Sequence, residues 1–296
     1  MKYMKLNRKS LLLGLLAMLL LVPTSAIADP QGDQAKALLD KHQDAVIAVQ
    51  LVSKQQFSMM GTSQENESKS EVIGTVIGPD GLTVLSLTST DPMGMFENMM
   101  GGMGEGFKVE SQISDVKLLL PSGEELQAGI ILRDKDLDLA FARPKTQPAQ
   151  PLAYIDLANA VQPQIMDQII ALSRLGKVAQ RVPAASLDRV EAVVSKPRTF
   201  YVPSSNVTNA RLGSPAFTLD GTPVGLFVMR VIKDVGGGDP MGMLGMGADQ
   251  NMIAILRPAA DILEAATQVP AFGEEASEEA APAEDAPEEE SPGDES

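Results

Sequence analysis

Residues 209–226 read NARLGSPAFTLDGTPVGL, and two punctuation points in that stretch decide how the chain is read. Gly213-Ser214-Pro215 marks a tight loop. Asp220-Gly221 is the strongest two-residue hairpin signal, because Asp and Gly tolerate the positive φ that such a turn requires. Ala216-Phe217 and Val224-Gly225-Leu226 flank that turn with apolar strand material. The stretch therefore predicts a sharp loop feeding a β-hairpin.

The same grammar recurs on both sides. Residues 44–52 (DAVIAVQLV) form a β-branched run suited to a buried strand, and residues 71–90 (EVIGTVIGPDGLTVLSLTST) read as strand, Pro-Asp-Gly turn, strand. Residues 116–120 and 129–132 make another hairpin around Pro121-Ser122-Gly123. After a linker at 151–160, residues 168–172, 186–194, 200–202, 224–232 and 251–256 supply further strands. Short helices are expected at 34–43 and 258–267, and the polar stretch 53–69 reads as a long flexible loop. Two sets of short strands with a helix at each end predict an all-β protein of two β-barrels.

Composition bounds the setting. Lys2, Lys5, Arg8 and Lys9 precede an apolar run at 11–22 and the small-residue site Ala26-Ile27-Ala28, the pattern of a secretory signal peptide. Residues 1–28 are therefore expected to be a signal, 29–273 the folded domain, and 274–296 a disordered tail with 11 acidic groups and no basic ones. The chain has no cysteine, which excludes disulfides, Cys-ligated zinc and a lipobox anchor. A net charge of −15 argues against a nucleic-acid partner. Export to the periplasm or the extracellular space, with no membrane association after signal cleavage, is the expectation.

The loop, hairpin and strand at 209–226 resemble the nucleophile segment of trypsin-like serine proteases of the HtrA/Deg type. That family has Gly-Asn-Ser-Gly-Gly-Pro there, followed by a hairpin bearing Asp-Gly. Counted back from Asp220-Gly221, the nucleophile position falls on Leu212. The segment 71–90 is similar to the family's Gly-x-Val-Ile strand, Asp-Gly turn and strand ending at the catalytic histidine, and alignment on Asp80-Gly81 puts that position on Thr88. Residues 133–141 (RDKDLDLAF) resemble the element whose second Asp orients the histidine, which matches Asp138. The closing residues 251–267 are similar to the family's final strand and helix, with the acidic tail where a PDZ domain would follow. The resemblance implies two six-stranded trypsin-like barrels.

It also implies a site emptied of its chemistry. A triad needs a nucleophile, a base within hydrogen-bond reach and a group that holds the base. Leucine cannot attack a carbonyl, and threonine has no useful proton affinity near neutral pH. Without a histidine to orient, Asp138 is expected to cap or brace the start of its strand. If the loop is shifted by two, Ser214 becomes a candidate nucleophile. The single histidine, His42, lies outside every position where a base is needed and is expected to face solvent or cap a helix.

Methionine distribution is the second feature. Asp91-Pro92-Met93-Gly94-Met95 recurs as Asp239-Pro240-Met241-Gly242-Met243, each inside a Gly/Met-rich insertion. Three readings stay open: inert low-complexity loops, adaptable contacts for polypeptide or self-association, and soft ligation of Cu(I) by Met93, Met95, Met241 and Met243. The expectation from the whole sequence is an exported, catalytically inactive protease homologue that acts as a polypeptide-binding or scaffold module, with no cofactor. An active serine endopeptidase with unconventional residues and a Cu(I) binder are the alternatives. HtrA relatives form trimers, so the resemblance also leaves room for a homo-oligomer.

Overall fold

The computed structural model describes residues 29–59, 62–91, 107–205, 207, 209–231 and 252–272. Helix α1 (Pro30–His42) opens it. The Asp29 carboxylate caps the helix by accepting from the Gly32 amide at 3.1 Å, and proline in the first turn costs no intrahelical bond.

Strands β1 (Val46–Met59), β2 (Thr62–Val76), β3 (Thr83–Ser86), β4 (Phe107–Leu119), β5 (Glu125–Asp134) and β6 (Leu139–Pro144) close into one antiparallel barrel, in the order β1-β2-β3-β6-β5-β4. Strands β7 (Gln168–Arg174), β8 (Pro183–Val194), β9 (Phe200–Pro203), β10 (Pro215–Thr218), β11 (Pro223–Val231) and β12 (Met252–Pro258) close into a second, in the order β7-β8-β9-β12-β11-β10. Both barrels thus use one wiring, with the third strand of each pairing the sixth. This architecture is consistent with the trypsin-like double-barrel fold expected from the sequence. A single helical turn, α2 (Leu87–Thr90), follows β3, and α3 (Ala259–Ala266) follows β12.

The apolar runs are continuous rather than alternating because each strand near the barrel contact buries both faces. In β1, Ile47, Val49 and Leu51 fill the first barrel while Val46 packs between the barrels. In β7, Ile169 and Ala171 fill the second barrel, and Ile170 and Leu172 turn to the shared core with Phe141, Phe217 and Val228. Polar groups add to this contact. The Arg174 guanidinium donates to the carbonyls of Val46, Arg181 and Gln43 at 2.7, 2.8 and 2.6 Å. Arg181 forms a two-bond ion pair with Glu71 of β2, at 2.9 and 2.6 Å.

The polar stretch 53–69 departs from expectation. It is strand rather than loop: β1 and β2 pair in continuous register from Val46↔Thr75 to Met59↔Thr62, and β4 flanks β1 on the other side down to Met59↔Phe107. Beyond Val52 the three strands form an arm outside the barrel. No apolar alternation announces it because Lys54, Gln56, Glu65 and Glu67 stand in solvent, and cross-strand hydrogen bonds rather than burial hold the backbone. The insertions at 92–106 and 232–251, with their methionines, lie outside the described residues, as do the signal and the acidic tail.

Candidate functional site

Asp138 sits at the last residue before β6 with φ of 58°, a left-handed conformation that Asp accepts more readily than most residues. Its side chain is buried and takes four hydrogen bonds. One carboxylate oxygen accepts from the Thr88 amide and the Thr88 hydroxyl, each at 2.7 Å. The other accepts from the Ser86 hydroxyl at 2.5 Å and from the Met229 amide at 2.7 Å. Burial pushes the carboxyl above the usual range, and the hydroxyls of Ser86 and Thr88 with the two amides pull against that shift. Asp138 therefore joins the end of β3, the turn α2 and a strand of the opposite barrel at one point.

Thr88 and Asp138, matched separately from distant segments, are in direct contact. Ser86 and the Met229 amide complete the cluster, and sequence reading missed both. Ser86 carries a weak signal, a hydroxyl on the buried end of a strand two residues before Thr88. Met229 carries none, since the group used is a backbone amide brought across by packing of the barrels.

The loop ahead of β10 is anchored to the first barrel. Gly213 has φ of 85°, and a Cβ added there would lie 2.2 Å from the Ile73 carbonyl oxygen of β2. The Thr75 hydroxyl donates to the Gly213 carbonyl at 2.7 Å, and the Gly213 amide donates to Phe227 at 2.7 Å. Only glycine fits between those two strands with that backbone. Arg211 donates to the Ser186 hydroxyl and lies over the Phe227 ring at 5.9 Å.

Leu212 is buried, at 1% exposure. Ser214 is fully buried, and its Oγ has no hydrogen-bond partner among the described residues. No group among the described residues is placed to take a proton from that hydroxyl. His42 is half-buried rather than solvent-facing, with its ring stacked on Phe217 at a centroid distance of 5.2 Å. It lines a cleft of about 260 Å³ with Lys41, Ile155, Asp156 and the Gly221 to Pro223 segment. Burial, and then the Lys41 charge, lower its pKa. Its position at the end of α1 serves packing against Phe217 of β10.

Met93, Met95, Met241 and Met243 lie outside the described residues. Among the described residues, no group of three or more His, Asp or Glu side chains is placed to hold a metal ion. The chain matches no family model and no curated protein.

Proposed function

We propose that this chain is an exported, catalytically inactive homologue of trypsin-like proteases of the HtrA/Deg type, and that it retains extended polypeptide in the vestigial cleft between its barrels. The observation that carries the reading is the Asp138 carboxylate. At the place where the family's aspartate would meet an imidazole, it is filled by the hydroxyl and amide of Thr88 together with Ser86 and Met229. The buried Leu212 supports the same reading, because a nucleophile must reach solvent-borne substrate. Loss of the reactive groups with retention of the surrounding barrels is what supports a binding role, in which polypeptide would be held by backbone pairing.

The test is incubation of the purified protein with an unfolded, fluorescently labelled polypeptide, beside a Ser214→Ala variant. Saturable binding without turnover in both is the expected result. Turnover that disappears in Ser214→Ala would replace this reading with that of a protease using an unconventional base. Absence of both binding and turnover would remove the polypeptide-retention role.

A further inference from the structure

The sixth strand of each barrel ends on one pattern. Residues 139–144 of β6 read LAFARP and residues 253–258 of β12 read IAILRP, so Arg143 and Arg257 hold equivalent places in the shared wiring. Both side chains are largely buried, and a buried cation requires a counter-charge. In the first barrel Asp80 supplies it. The Arg143 Nε lies 3.0 Å from the Asp80 carboxylate, which stands in the turn between β2 and β3.

The second barrel has the opposite charge at that place. Thr83 pairs Ala142, the residue before Arg143, and Tyr201 pairs Leu256, the residue before Arg257. Counted back three positions from Thr83 and Tyr201, Asp80 in the first barrel corresponds to Arg198 in the second. Arg198 is exposed in the turn between β8 and β9, while Arg257 is buried at 1% exposure. Among the described residues the Arg257 Nε has no partner, and the one acceptor that Arg257 reaches is the Asp261 carboxylate, 3.4 Å from Nη1. A third guanidinium, Arg230, lies over the ring of Phe200, which precedes Tyr201 on β9, at 4.9 Å. Burial lowers the Arg257 pKa; Asp261 opposes that shift, and the Arg230 and Arg198 charges reinforce it.

From this reversal we propose that the second barrel binds a doubly charged oxyanion of the phosphate type between Arg257 and Arg198, in the place that Asp80 fills in the first barrel. Charge selects the ligand. Three guanidiniums against the single carboxylate of Asp261 leave two positive charges, which one dianion cancels and a lone carboxylate does not. Arginine suits such a ligand because its planar fork of N–H groups matches the spacing of phosphate oxygens, and the unfilled Nε belongs to that fork. Asp261 keeps its hold on Nη1, and the oxyanion enters from the exposed turn that carries Arg198. The site uses none of the groups around Asp138 and does not depend on polypeptide retention.

The full chain is titrated with inorganic phosphate at constant ionic strength, balanced with chloride, and followed by thermal unfolding and calorimetry. Phosphate several-fold above its Kd raises the Tm by about 2–4 °C, and sulfate acts in the same direction. Acetate gives a clearly smaller shift. Arg198→Asp restores the pairing of the first barrel, so it raises the Tm without phosphate and abolishes the response. Lys54→Asp, the same charge change at an exposed position on the arm, leaves the response intact. A native chain with no phosphate shift overturns the proposal. So does a response that survives Arg198→Asp, disappears equally in Lys54→Asp or is matched by acetate, and so does a lowered Tm in Arg198→Asp. If Arg198→Asp fails to fold, Arg198→Gln decides instead, with phosphate binding weakened roughly ten-fold or more.

Discussion

Thr88 donates both its amide and its hydroxyl to a single carboxylate oxygen of Asp138, each at 2.7 Å. Thr88 lies in the single helical turn α2, and Asp138 reaches both of its donors from fifty positions away in the sequence. The contact occupies the aspartate that, in the resemblance, would hold a base. Removing the hydroxyl in Thr88→Val should cost about 1–3 kcal/mol, since a buried carboxylate loses a donor that no water replaces. Denaturant unfolding measures this. A change below the error of the method would mean that water reaches Asp138 in solution.

Asp138→Asn puts an amide group among four donors. At least one donor then faces another donor, whichever way the side chain is turned, and stability should fall by about 1–3 kcal/mol or more. Because Asp138 bonds both α2 and β11, hydrogen exchange should accelerate in both segments together. Acceleration in the first barrel alone would show that Asp138 does not tie the two barrels.

Gly213→Ala and Gly123→Ala form a matched pair. Both glycines have strongly positive φ, 85° and 89°, but a Cβ at Gly213 meets the Ile73 carbonyl at 2.2 Å, whereas one at Gly123 meets nothing within 4 Å. Gly123→Ala should cost only the left-handed penalty of about 1–2 kcal/mol. Gly213→Ala should cost clearly more, because the loop must leave β2. Equal melting shifts for the two would rule out the close approach.

The single histidine permits a direct pH measurement. Burial lowers the pKa of His42 from its ordinary value of 6.5, so its one imidazole resonance should titrate below that value. The fold favours neutral imidazole, so its contribution to stability is full above pH 6.5 and falls as pH drops through the lowered pKa. His42→Phe, which keeps a ring on Phe217, should flatten the stability profile in that window. Titration at or above the ordinary value would place the ring in water.

Glu71 gives the opposite end of the scale. Its hydrogen bond with Arg181 holds its pKa below 4.5, so the pair contributes stability above that pH and loses it as pH falls through the lowered value. With the Glu71 side chain at 19% exposure and that of Arg181 at 34%, screening keeps the contribution near about 1 kcal/mol. Glu71→Gln should lower stability by that amount at neutral pH and remove the acid-side slope. Unchanged acid unfolding in the variant would leave inter-barrel stability to the apolar core and Arg174.

Most strands, the turn positions and the two flanking helices were legible because Asp-Gly and Pro-x-Gly turns and β-branched runs are local signals, written within a few residues of where they act, whereas the count of six strands in each barrel came with the resemblance. The wiring of the barrels followed the resemblance at 209–226, Asp138 and Thr88 rather than any single residue. The arm at 53–69 was not legible: a solvated sheet held by backbone bonds to two neighbours has no apolar period, so its polar sequence looked like a loop. In the candidate site, Thr88 and Asp138 were identified as residues before their contact was known. Residue type alone established that Leu212 cannot be a nucleophile and that the chain contains one imidazole. Tertiary structure decided that Thr88 fills Asp138, that Ser214 is buried without a partner among the described residues, and that His42 spends its ring on Phe217. Those outcomes depend on which distant segments meet when the barrels bury their shared apolar face, and a hydrogen bond between residues fifty positions apart leaves no mark in either segment.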